Sequence, residues 1–173
     1  MKANLKGFTL IELIVVIVII GVLAVVAAPR FLNIQHDARA SVMEGLGASV
    51  HTAADLAFEK AAVEGMEDQK SYLIPEYGRV KFGYPAVEKG GMEKFLAIDS
   101  GFHDLTSEWT WAAHNNGPVS DPDLWLITRS EYLSDVLPND FNTAIEKTQC
   151  YVKYMAAMEA NDDYQVEVFT DGC

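Results

Sequence analysis

Apolar residues fill the chain from Phe8 to Ala28, FTLIELIVVIVIIGVLAVVAA, with only Thr9 and Glu12 interrupting. Such a run has no polar face to offer water. At 1.5 Å per residue it predicts a helix about 31 Å long, matched to a hydrocarbon core of about 30 Å. After Pro29 the pattern changes: Phe31, Ile34, Ala38, Val42, Leu46, Val50, Ala53, Ala57 and Ala61 recur in steps of three and four. That spacing marks one face of an amphipathic helix, and Gly65 is a reasonable stop. The prediction is one helix over 8–64, about 85 Å long, greasy on all sides in its first half and on one face in its second. Pro29 is expected to kink it and Gly21 to weaken it. The small residues Gly45, Gly47, Ala48 and Ser49 predict close packing of this helix against a sheet, the alternative being a stretch that loosens in use.

From Met66 the pattern breaks into short runs separated by turn residues. RVKFGYP (79–85), DLWLITR (123–129), CYVKYMAAM (150–158) and YQVEVFT (164–170) predict strands, the last two joined through the turn EANDD. MEKFLAI and SEYLSDVL predict short helices. EWTWA, if a strand, puts Trp109 and Trp111 on one face, where core is expected over an exposed sugar-stacking pair. The fold class expected is α+β: a long N-terminal helix, membrane-spanning in its first half, packed on an antiparallel sheet within a head domain over 65–173.

Charge changes the functional picture. The chain has 173 residues, a formal net charge of −12 and a pI of about 4.6, so no nucleic-acid partner is expected. Its leader, MKANLKG, carries Lys2 and Lys6 and no acid, which keeps that end cytoplasmic and sends the rest across the membrane. A removable signal peptide would have to be cut at the bond to Pro29, which argues for a retained segment. The exported domain then meets an oxidising compartment, and Cys150 and Cys173 are predicted to pair. The loop of about 24 residues so closed contributes roughly 3.4 kcal/mol.

The arrangement KGFTLIEL resembles the N-terminal signature of type IV prepilins. The resemblance implies cleavage by a prepilin peptidase between Gly7 and Phe8, with 1–7 as leader, and methylation of the new amine at Phe8. Residues 8–28 then serve as transmembrane segment and filament core. A carboxylate inside a bilayer costs about 2.5–3.5 kcal/mol, so Glu12 needs a partner. The new amine at Phe8 is four residues away on the expected helix face. The resemblance implies filament assembly in which Glu12 pairs with the Phe8 amine of a neighbouring subunit; pairing within one subunit is open as well. AAPRFLNIQHDARAS, FGYP and CYVKY before a terminal cysteine are most similar to mannose-sensitive haemagglutinin pilins, and Cys150–Cys173 to the family's disulfide region. Implied partners are further copies in a homopolymer, the assembly platform, an assembly ATPase, an outer-membrane secretin, and a host or abiotic surface. Implied localisation is the inner membrane as precursor, head periplasmic, then the extracellular pilus. The alternatives are a major pseudopilin of type II secretion, a minor pilin, and, from another class, an anchored periplasmic enzyme.

Little else points to chemistry. His36 and His51 lie fifteen positions apart on the expected helix, too far for a shared ligand site, and of the other two, His103 and His114, the latter sits with Asn115 and Asn116 in a turn-like loop. There is no HExxH, phosphate-binding glycine loop or CxxC pair, so no catalytic residue, metal site or cofactor is nominated. Asp121 with Asp123, and Asn161 with Asp162 and Asp163, are oxygen-rich but complete no calcium-loop pattern, and solvated loops are expected. Tyr72, Tyr77 and Tyr84 are read as packing residues, and the segment 100–123 carries no recognised function.

Overall fold

The computed structural model describes residues 7–114, 123–133 and 141–173. Residues 1–6, Asn115, Asn116, Asp121 and positions 134–138, which include half of the helix expected at SEYLSDVL, lie outside the described residues. The chain divides into two compact units, Met1–Ala38 and Arg39–Cys173.

Helix α1 runs over Leu10–Glu64 and is helical through position 29. It begins two residues later than expected because Thr9 caps it. It stops in a Schellman closure: Gly65 has φ +68°, its N–H reaches the Ala62 carbonyl at 3.1 Å, and the Met66 N–H reaches Ala61 at 2.9 Å. In the first unit, every described apolar side chain from Phe8 to Val26 is exposed, and Leu10–Ala27 is long and apolar enough to cross a membrane. In the second unit Met43, Leu46, Val50, Ala53, Ala54, Ala57 and Ala61 are buried. The expected stripe therefore needs correcting at its start: Phe31 and Ile34 are exposed, and Met43 enters the core while Val42 stays 48% exposed.

The strands form two sheets. Tyr72–Ile74 (β1), Gly78–Lys81 (β2) and Tyr84–Pro85 (β3) make a small antiparallel sheet, so the single strand expected over 79–85 is two, split at Gly83 with φ +83°. After a short helix α2 (Met92–Phe95), five strands lie in chain order: β4 (Ser100–Phe102), β5 (Trp109–His114), β6 (Leu124–Arg129), β7 (Tyr151–Met155) and β8 (Gln165–Phe169). All pairings are antiparallel except β4 with β5, which is parallel. Period-two alternation sorts the side chains to the two faces. Trp109, Trp111, Trp125, Ile127, Val152 and Tyr154 share a core with α1, while Ala112, Leu126 and Tyr151 share one with Phe141 and Ile145 of α3 (Phe141–Thr148). The described part of SEYLSDVL is a 3-10 turn over Ser130–Leu133. The fold is α+β, with one more helix layer than the sequence predicted.

Candidate functional site

The start of α1 is a built device. Thr9 and Glu12 form a capping box: Glu12 Oε2 accepts hydrogen bonds from the Thr9 N–H and hydroxyl, both at 2.8 Å, and the Glu12 N–H reaches Thr9 Oγ1 at 3.3 Å. The box satisfies the Thr9 and Glu12 N–H groups within the chain, and a carboxylate near the N-terminus complements the helix dipole. Phe8 therefore stands before the cap, outside the helix, and the expectation that Phe8 and Glu12 share a helix face is corrected. Gly7 and Phe8 are exposed, Phe8 at 90%. The sequence reading missed the box although its signature, T-x-x-E ahead of an apolar run, is present at Thr9–Glu12.

The second feature is the Cys150–Cys173 disulfide, whose two residues are buried in the α1-facing core. The surroundings hold it on three sides. Arg39 of α1 donates to the Cys173 carbonyl at 3.3 Å, Thr128 donates to the Cys150 carbonyl at 2.6 Å, and Gly172 donates to the Gln149 carbonyl at 2.9 Å. A Cβ on Gly172 would overlap the Thr148 carbonyl, so only glycine lets the two strand ends close.

The remaining candidates scatter. Trp109 and Trp111 are core, 7% and 1% exposed, with Arg129 over the Trp109 ring. Tyr72 hydrogen-bonds Glu64, Tyr77 lies under Lys60, and Tyr84 stacks on Phe58. His36 neighbours Asp37, and His114 is exposed at the end of β5. His103, in a left-handed turn at φ +52°, is stacked between Phe102 and Phe141, and burial pulls its pKa down. Asp123 Oδ2 is paired with Lys81 at 2.6 Å, and Asp163 Oδ1 accepts the Tyr164 N–H at 2.9 Å. Among the described residues, no three His, Cys, Asp or Glu side chains converge as metal ligands.

One cluster joins residues that the sequence separates. Tyr164, just before β8, donates its hydroxyl to Asp55 at 2.9 Å and lies 3.0 Å from His51 Nδ1, both on α1. Its ring packs on Tyr84 and Tyr154, and Tyr154 donates to the Pro85 carbonyl at 2.9 Å. Burial first, then the Asp163 carboxylate, pushes the Tyr84 phenol up to about 12; Tyr154 and Tyr164 are raised as well, burial leading in each.

The family description "Prokaryotic N-terminal methylation motif" matches residues 2–28. The chain is 45% identical over 56 residues to the type IV narrow pilus major component PilA5 of Thermus thermophilus, covering 32% of this chain and 48% of that one. It is likewise 45% identical over 67 residues to a fimbrial protein of Pseudomonas aeruginosa, covering 39% and 40%. The chain thus spans less than half the length of these relatives. No solved structure matches it.

Proposed function

We propose that the chain is a type IV pilin, a reading its methylation motif and its pilin relatives support, and that it polymerises through its N-terminal helix into a surface filament used for attachment. One observation carries this reading: an apolar helix, exposed on every side, opens with a capped carboxylate at Glu12. In water that surface is untenable, and bilayer or like helices relieve it. In this proposal residues 1–7 are a leader cut after Gly7, Phe8 carries the methylated amine, 8–64 is the stalk and 65–173 the head. Glu12 keeps Oε2 on its own cap and meets the Phe8 amine of a neighbouring subunit through its other oxygen. Pro29 supplies a bend when subunits pack. Kinship to the mannose-sensitive haemagglutinin pilins belongs to the same proposal, as do the peptidase, assembly platform, ATPase and secretin as partners and the inner membrane as staging site. Catalysis has no part in it.

The test is an intact mass, without reduction, on material sheared from cells. The expected result is loss of Met1–Gly7, gain of one methyl group and absence of two hydrogens. A processed chain found only in the membrane fraction would move the assignment to a pseudopilin or minor pilin. Retention of Met1–Gly7 would overturn the role given to Glu12.

A further inference from the structure

The Tyr164 hydroxyl meets two α1 side chains one turn apart. Asp55 Oδ1 lies 2.9 Å from it and His51 Nδ1 lies 3.0 Å from it. A phenol oxygen, a carboxylate oxygen and an imidazole nitrogen, drawn from elements 109 and 113 positions apart, thus converge at the protein surface. A second phenol, Tyr84, has its ring centroid 5.0 Å from that of Tyr164, and the Asp163 carboxylate helps to raise its pKa after burial.

Two properties of the cluster go beyond anchoring a strand to a helix. Donor separations near 3 Å are the edges of an octahedron whose metal–ligand bonds are about 2.1 Å long, so the phenol oxygen already stands at coordination spacing from each of its two partners. The donor set is also selective. Calcium takes oxygen ligands only, and thiolate-favouring ions find no sulfur here. A phenol beside carboxylates gives up its proton only to a strong Lewis acid, and iron accepts imidazole, carboxylate and tyrosinate together.

We propose that His51, Asp55 and Tyr164 form a binding site for ferric iron on the head. Binding exchanges the Tyr164 O–H bond for an O–Fe bond. The proton goes to solvent and no electron moves. His51, whose Nδ1–H faces the phenol while the phenol donates to Asp55, shifts its proton to Nε2 and ligates through Nδ1; Asp55 ligates through Oδ1, and water fills the remaining positions.

The experiment titrates the full-length chain, purified in detergent, with ferric citrate. The expected result is a visible phenolate-to-iron charge-transfer band that saturates near one iron per chain. Tyr164→Phe is expected to abolish the band. Asp55→Asn, which keeps the phenol and its hydrogen-bond partner in place, is expected to weaken binding at least about tenfold. Tyr84→Phe is expected to leave the band standing. No visible band with the wild-type chain overturns the proposal, as does a band that survives Tyr164→Phe or an affinity unchanged by Asp55→Asn. If Tyr164→Phe fails to fold, the Asp55→Asn affinity decides alone. These outcomes are independent of filament formation, which the mass of sheared material reads.

Discussion

Gly45 and Gly47 sit two positions apart on α1 and meet opposite surroundings. Nothing lies within 4 Å of a Cβ built on Gly45, whereas one on Gly47 comes to 2.5 Å of Val168 Cγ2 on β8. Gly45→Ala is therefore expected to raise stability by about 1 kcal/mol, through helix propensity alone. Gly47→Ala is expected to lower it by about 1–3 kcal/mol, because the Val168 side chain must turn out of its place against the helix. Denaturant unfolding of the full chain in detergent, followed by tryptophan fluorescence, separates the two; equal effects would remove the close approach as the reason for Gly47. The two glycines read alike in the sequence, since only the partner strand tells them apart. Thr9 offers a sharper case. Thr9→Val deletes the hydroxyl that both caps the helix and binds Glu12, so the first turn is expected to lose about 1 kcal/mol. Hydrogen exchange at Ile11–Leu13 should then quicken about fivefold, with Thr9→Ser restoring the wild-type rate. That box was legible in the sequence, because Thr9 and Glu12 stand three positions apart at the head of an apolar run.

Among elements, the tyrosines joining β3, β7 and the approach to β8 make stability depend on alkali. Tyr84, Tyr154 and Tyr164 all have phenols raised above the ordinary value of 10 in the folded state. A group whose folded pKa is raised favours the fold below its unfolded value and loses that contribution as pH climbs toward the folded one. The head is thus expected to weaken progressively between pH 10 and 12, with these phenols ionising only as it opens. A phenolate absorbance titration checks this: ionisation of all seven tyrosines near pH 10 with the fold intact would contradict it. Tyr154→Phe should blunt the alkaline loss at the expense of the hydrogen bond to Pro85. Long periodic elements were readable because each turn repeats the same statement; α1 and strands β6 and β8 fall where the pattern put them, to within a residue or two, and β7 ends three residues before its expected run does. β1 and β4, three residues each, are too short to show a period. Helix α3 left a readable signal in Phe141, Ala144 and Ile145, spread over only two turns. The parallel pairing of β4 left none, because pairing sense is settled by the path of the chain between strands.

At the scale of the whole molecule, each unit depends on a different kind of support. For the second, the covalent loop between Cys150 and Cys173 limits the unfolded chain. Replacing both cysteines by serine is expected to lower its stability by about 3 kcal/mol, or roughly 10 °C in thermal midpoint, and calorimetry with and without reductant checks it. An unchanged midpoint would show that Arg39, Thr128 and the sheet hold that end unaided. The disulfide was legible because compartment and cysteine count leave one partner each. The His51–Asp55–Tyr164 convergence was not, because its members meet only once the sheet has closed over the helix. For the first unit, support must come from outside, since Leu10–Ala27 turns apolar side chains to every side. Such a chain has no dissolved monomer pool. If its copies polymerise, growth and shrinkage are exchanges between two oily phases, and a critical concentration in water has no meaning for it. The quantity that governs length is then the surface density of subunits in the bilayer, and each subunit leaving the polymer must find lipid again.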